Sequence, residues 1–235
     1  MKAEILDLYK QKFHYDKFYD NLFFNIKTWK DDHIQHPQFL YGYPFLPERD
    51  VIFEKQRSTE SGNIRVDLPV WYGDINSKNR IVFLGLEPRD TDKMGYLNIE
   101  HLNNYVFATP FALERPEKHN RYQKAFFHLL DKSNFFFYFT DIVKEYLVVD
   151  KDNKRINDLV ARRDFKGKAA ESIDFLTAEL NLISPTKVIT LGRETFHVIN
   201  KTSLKNKFDI AGVVHPARNR HIRAKNEIDD ILCKI

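Results

Sequence analysis

The chain has 235 residues, enough for one domain or for a domain with a substantial extension. Apolar residues make up 43% and charged residues 30%, which allows a true core and argues against disorder. The formal net charge of +4 permits a nucleic-acid partner without demanding one, and the single cysteine, Cys233, excludes an internal disulfide, a cysteine-ligated zinc and an iron–sulfur cluster.

Residues 3–30 are expected to be helical, because Ile5, Leu6, Tyr9, Phe13, Phe18, Leu22 and Phe23 recur at helical spacing. Pro37, Pro44 and Pro47 break regular structure over residues 33–50. Ile64 to Tyr72 has the composition of an extended segment interrupted at Pro69, and Gly73 to Asn79 is turn-like. The apolar run Ile81 to Leu84 predicts a strand covered on both faces. Residues 91–120 are loop-rich, with a short helix expected at 98–106, and Arg121 to Lys132 is helical. Phe135 to Phe139 is a second buried strand, residues 150–165 form a charged loop or short helix, and Ala169 to Leu182 is a helix closed by Pro185. Val188 to Leu191 is a third strand, turned by Gly192 into a helix over 194–200. Ile210 to Val214 is a fourth strand, and Ile222 to Ile235 a closing helix.

Strands alternating with helices predict an α/β fold with a parallel sheet and helices on both faces. Met1-Lys2-Ala3-Glu4 is charged from the start and does not read as a signal peptide. The chain has no apolar run of about 18 residues, the minimum for a membrane span. A cytoplasmic protein with no membrane partner is therefore expected.

Two strand ends carry residue types suited to chemistry. Gly85-Leu86-Glu87-Pro88-Arg89-Asp90 follows the first apolar run and sets a carboxylate at the carboxyl end of a strand, where open α/β sheets bind ligands. Val213-Val214-His215-Pro216-Ala217-Arg218 sets a histidine at the end of the fourth.

Together with Phe139-Thr140-Asp141-Ile142-Val143-Lys144 and Ser184-Pro185-Thr186-Lys187-Val188-Ile189-Thr190-Leu191-Gly192, these segments resemble the four strand-end motifs of the uracil-DNA glycosylase superfamily. The match covers residues 65–235. It implies a three-layer α/β/α domain around a central four-stranded parallel sheet. Residues 1–64 would then be an aromatic-rich helical extension packed on that core. The branches of the family place aspartate, asparagine or alanine before the first-motif proline, and the alanine branches hold a four-cysteine cluster. With Glu87 and a single cysteine the chain resembles none of these branches fully, and the resemblance implies an atypical branch without such a cluster.

The implied activity is monofunctional hydrolysis of the N-glycosidic bond of a flipped uracil or related damaged base, with no metal or other cofactor. The protein would act as a monomer on single- or double-stranded DNA. Glu87 would stabilise the sugar cation or orient the water, and His215 would donate to the departing base. Gly85, Leu86, Pro88, Phe111 and Asp141 would line the base pocket. Arg218, Arg220, Arg223 and Lys144 would contact DNA. Each position also has a plainer reading. Glu87 caps a helix or pairs with an arginine, His215 serves a turn, Phe111 packs in the core, and Lys144 is a solvated charge.

Asp141 departs from the family's usual asparagine. An ionised carboxylate only accepts hydrogen bonds, so it would repel the uracil carbonyl and favour an exocyclic amino group. Two alternatives therefore stand beside the glycosylase: a nucleic-acid-binding member with a degenerate pocket, and a small-molecule or nucleotide hydrolase. For the last, the chain has no Gly-x-Ser-x-Gly, P-loop or Gly-x-Gly-x-x-Gly motif.

Overall fold

The computed structural model describes residues 1–13, 63–67, 69–86, 105–108, 110–112, 121–122, 124–148, 172–217 and 219–235. Glu87, Pro88 and Arg218 lie outside the described residues, as do the expected helical stretch 14–30 and the charged segment 150–165.

Eight strands are described: β1 (Asn63–Asp67), β2 (Val70–Gly73), β3 (Asn79–Gly85), β4 (Tyr105–Ala108), β5 (Phe135–Asp141), β6 (Glu145–Val148), β7 (Lys187–Leu191) and β8 (Ile210–Val213). The described α-helices are α1 (Lys2–Phe13), α2 (172–183), α3 (Arg193–Asn200), α4 (Leu204–Lys207) and α5 (His221–Leu232). Residues 121–122 and 124–126 are also helical, and Phe127–Asp131 continues from them as a tighter 3-10 turn.

The main sheet has the order β2-β5-β3-β7-β8. Its four strands β5, β3, β7 and β8 are parallel, as the alternation of strands and helices predicts. β2 adds an antiparallel edge along β5 that the sequence pattern did not reveal. The extended segment expected at 64–72 divides into β1 and β2, which join different sheets on either side of Pro69. Proline has no N–H to give to a ladder, which suits a break at that point. β1 pairs parallel with β4 and antiparallel with β6 in a second sheet of three strands. The expected division between residues 64 and 65 therefore falls inside β1. The helix expected at 98–106 is corrected at its end, where Tyr105 and Val106 are strand because they pair with Ile64 and Arg65.

Side chains alternate between the faces of a strand, so each buried strand feeds two cores. Val82, Leu84, Phe136, Tyr138 and Val188 face one cluster. Ile5 and Tyr9 of α1 join them there, with Leu176, Leu180 and Ile183 of α2, Ile199 of α3 and Leu204 of α4. Ile81, Phe83, Phe137, Phe139, Ile189, Leu191 and Val213 face the other cluster. They meet Ala125, Phe126 and Leu129 of the 121–131 segment, and Ala224, Ile228 and Leu232 of α5. Helices thus cover both faces of the parallel sheet. This explains why its strands are apolar runs rather than alternating ones.

Candidate site at the carboxyl edge of the sheet

In chain order the parallel strands are β3, β5, β7 and β8, but in space β5 lies on one side of β3 and β7 on the other. The chain leaves β3 in one direction and later returns past it in the other. Such a reversal opens a crevice outside the carboxyl ends of the two strands flanking it, here β3 and β7. The residues at that edge are Gly85 at the end of β3 and Leu86 after it, Asp141 on β5, Gly192 after β7, and His215 just beyond β8.

Gly85 and Asp141 are register partners. Asp141 is 2% exposed, and its carboxylate lies across the α-carbon of Gly85. A Cβ added at Gly85 would stand 1.9 Å from Asp141 Oδ1 and 2.9 Å from the Phe111 ring. Any larger residue here would push aside the carboxylate and the ring that close over the strand end. The turn behind Asp141 is tied to the same strand: Ile142 N–H donates to the Gly85 carbonyl and Val143 N–H to the Leu86 carbonyl, each at 3.0 Å. The Leu86 side chain packs against the α1–α2 core cluster. We expect Gly85→Ala to displace Asp141 and Phe111 and to cost about 1–3 kcal/mol, the usual range for overpacking. An unchanged urea midpoint would count against that close approach.

Phe111 holds a left-handed backbone, φ 61° and ψ 16°. For a bulky L-residue this conformation costs roughly 1–2 kcal/mol, and it persists only where surrounding contacts over-determine it. Those contacts are aromatic. The Phe111 ring centroid lies 5.6 Å from Tyr122, 5.6 Å from Phe126 and 6.4 Å from Phe139. Phe111 is only half-buried, so it packs in the core and still reaches solvent at the carboxyl edge of the sheet. Tyr122 carries the cluster on to His215, edge to face at 5.6 Å. Asp141, Gly85, Phe111, Tyr122 and His215 therefore form one continuous arc.

His215 is held from three sides. Its Cβ would lie 3.2 Å from a Cβ at Gly192, whose φ of 92° is a conformation that glycine tolerates. Gly192 N–H donates to the Val213 carbonyl at 2.9 Å, joining the ends of β7 and β8. Glu227 of α5 accepts from Val214 N–H at 2.7 Å, and Arg223 Nε–H donates to the same carboxylate at 2.8 Å. Ala217 N–H donates to His215 Nδ1 at 3.3 Å. That makes Nδ1 an acceptor and puts the proton of the neutral ring on Nε2. Burial pushes the His215 pKa below its ordinary value, against a smaller upward pull from Glu194. The imidazole is accordingly a neutral Nε2–H donor near pH 7.

Lys144 stands elsewhere than expected. A solvated or phosphate-facing lysine is corrected to a buried one: its side chain is fully enclosed and ion-paired with Glu179 at 2.5 Å. Placing the ammonium inside is tolerable only because a carboxylate and further acceptors meet it there. Arg220 is exposed, and Arg223 is 70% exposed in its side chain although it is paired with Glu227. Between them Ile222 is 64% exposed, an apolar side chain in the first turn of α5. Tyr122, Glu179, Glu227 and Ile222 were not singled out by sequence. Glu179 alone carried a signal, as a carboxylate on the stripe Leu176, Leu180, Ile183 of α2.

Among the described residues, no group of three or more His, Cys, Asp or Glu could hold a metal ion. No described helix is long and apolar enough to cross a membrane. The fold is an α/β protein built on a four-stranded parallel sheet with flanking helices, and its switch point lies between β3 and β7. Comparison with protein-family models and with curated proteins gave no match.

Proposed function

We propose that the chain is a DNA base-excision glycosylase that hydrolyses the N-glycosidic bond of a flipped, damaged base. The single observation that carries this proposal is the neutral His215 at the carboxyl edge of the parallel sheet, where Nδ1 accepts from Ala217 N–H and the ring proton is left on Nε2. In a dissociative cleavage the C1′–N bond breaks first and its electron pair leaves with the base. A preorganised N–H beside the base oxygen stabilises that anion. Water then adds to the sugar cation at C1′. Glu87, one residue beyond Leu86, would hold that water and take its proton.

Phe111 would offer the extruded base an aromatic edge, and Asp141 would meet its hydrogen-bonding side. Arg218, Arg220 and Arg223 would neutralise phosphates. Ile222, exposed among these arginines, suits the gap that a flipped nucleotide leaves, where inserted apolar side chains hold bases apart. A monomer acting in the cytoplasm fits this activity.

One observation favours a second reading. The Asp141 carboxylate already covers Gly85, on the floor where a base would rest. A binding protein with a degenerate pocket would have the same basic α5 start without cleavage.

Oligonucleotides bearing uracil, hypoxanthine or modified cytosine separate the two. The glycosylase should cleave at least one of them, with a preference for a base that presents an amino group to Asp141. Glu87→Gln and His215→Ala should each abolish most of that cleavage. Salt-sensitive binding with no cleavage of any substrate would establish the degenerate member instead. Robust cleavage of uracil alone would refute the altered base preference.

A further inference from the structure

On the face of the sheet opposite Phe111 lies a buried polar cluster that the proposed chemistry does not use. Glu179 of α2 accepts through Oε1 from three hydroxyls: Tyr9 at 2.9 Å, Tyr138 at 2.7 Å and Thr140 at 3.1 Å. Its Oε2 accepts from Lys144 Nζ at 2.5 Å. The same ammonium donates to Thr140 Oγ1 and, at 2.6 Å, to the main-chain carbonyl of Asp141. All three of its protons are therefore placed. Tyr9, Tyr138, Thr140, Lys144 and Glu179 are all 1% exposed or less. Tyr9 and Phe175 flank the ammonium, with ring centroids 5.9 Å and 5.7 Å away.

A buried pair of this kind seldom stabilises a protein more than well-packed apolar residues would. Its location offers a different use. Lys144 closes the turn that begins at Asp141, and one of its three bonds goes to the Asp141 backbone itself. The front of that turn is fixed to β3 by Ile142 and Val143, and the back is fixed to α2 and α1 by Lys144 and Glu179.

We infer that Lys144, Glu179 and Tyr9 are positioning residues for Asp141, so that the first helix of the chain helps set the base-reading end of the pocket. This deepens the proposed function and rests on it for the role of Asp141. The placement of the turn is an independent matter. Without the network, the carbonyl of Asp141 loses its charged donor and the carboxylate on the other side of the backbone loses its fixed aim.

Tyr9→Phe keeps the ring and removes one hydroxyl, while Glu179→Gln keeps the shape and removes the charge. Amide hydrogen exchange at Ile142 and Val143 reads the turn directly, and the amides of Val188 and Gly192, which donate to Asp209 and Val213, serve as internal controls. In both variants the turn amides should exchange about tenfold faster, the effect of losing one hydrogen bond to a charged group. In Tyr9→Phe the control amides should stay within about twofold of the parent, and in Glu179→Gln, where the unpaired Lys144 lowers global stability, the turn amides should be accelerated beyond the controls. On a cleaved substrate KM should rise more than kcat falls, with a changed preference among the bases.

Turn amides that keep their parent rate, or that move only together with the controls, would overturn the positioning role. If Glu179→Gln does not fold, Tyr9→Phe alone decides. If no substrate is cleaved, the glycosylase proposal fails while the exchange result still settles the placement of the turn.

Discussion

Glu179→Ala should lower the free energy of unfolding by about 3–5 kcal/mol, the usual consequence of removing one partner of a buried ion pair. The loss is large because the Lys144 ammonium stays behind. Its side chain is fully enclosed, and its remaining acceptors are a hydroxyl and a carbonyl. Three hydroxyls lose their common acceptor at the same time. Burial, and next the charge of Glu179, keep the Tyr9 and Tyr138 hydroxyls protonated far above their ordinary range, so neither can relieve the lysine by ionising.

The informative comparison is the double variant Glu179→Leu with Lys144→Met, which removes both charges and keeps the volume. Exchanges of that sort are often neutral or stabilising, so the double variant should recover the part of the loss due to the stranded ammonium, while the three hydroxyls left without their acceptor keep it below the parent. Urea unfolding at constant m-value measures both. A loss below about 1 kcal/mol for Glu179→Ala would mean that water reaches the ammonium after all. The pair would then resemble a surface salt bridge.

The parallel core was legible because both faces of its strands are covered. Ile81 to Leu84 is apolar without alternation, Val188 to Leu191 is so but for the buried Thr190, and helices with one-sided stripes separate them. The same rule hid the rest. β4 and β6 gain their identity from pairing with β1, a contact between distant segments that no local pattern encodes. β2 is set by its neighbour β5 and is only four residues long.

In the candidate site the glycine, aspartate and histidine positions were visible as strand ends. What joins them was not. Tyr122 bridges Phe111 and His215 through ring geometry, and Glu227 reaches Val214 from a helix turn downstream. Lys144 misled for a physical reason. A lysine three residues past the end of a buried strand reads as solvated, and only its partner on α2, 35 residues later, makes burial affordable.

His215→Ala should reduce cleavage by roughly 10²–10³-fold, the cost of deleting one preorganised donor to a developing anion. The pH behaviour tests the neutral state that this role requires. The folded-state pKa of His215 lies below its ordinary value of 6.5 because burial disfavours the imidazolium. Between the folded value and 6.5 the unfolded chain binds more protons than the folded one. Stability therefore rises with pH across that window. The contribution of His215 is fully present above 6.5 and is lost as the pH falls through the folded value.

His128 is lowered chiefly by burial as well, so it adds a dependence of the same sign. The share of His215 is the difference between the parent and His215→Gln, measured as stability across that window. Protonation would also turn Nδ1 into a donor, which breaks the bond from Ala217 N–H and releases the turn after β8. An NMR titration should show His215 carrying its proton on Nε2 near pH 7 and changing state below 6.5. A ring protonated on Nδ1 near neutrality, or a midpoint above 6.5, would remove the neutral donor on which the cleavage depends.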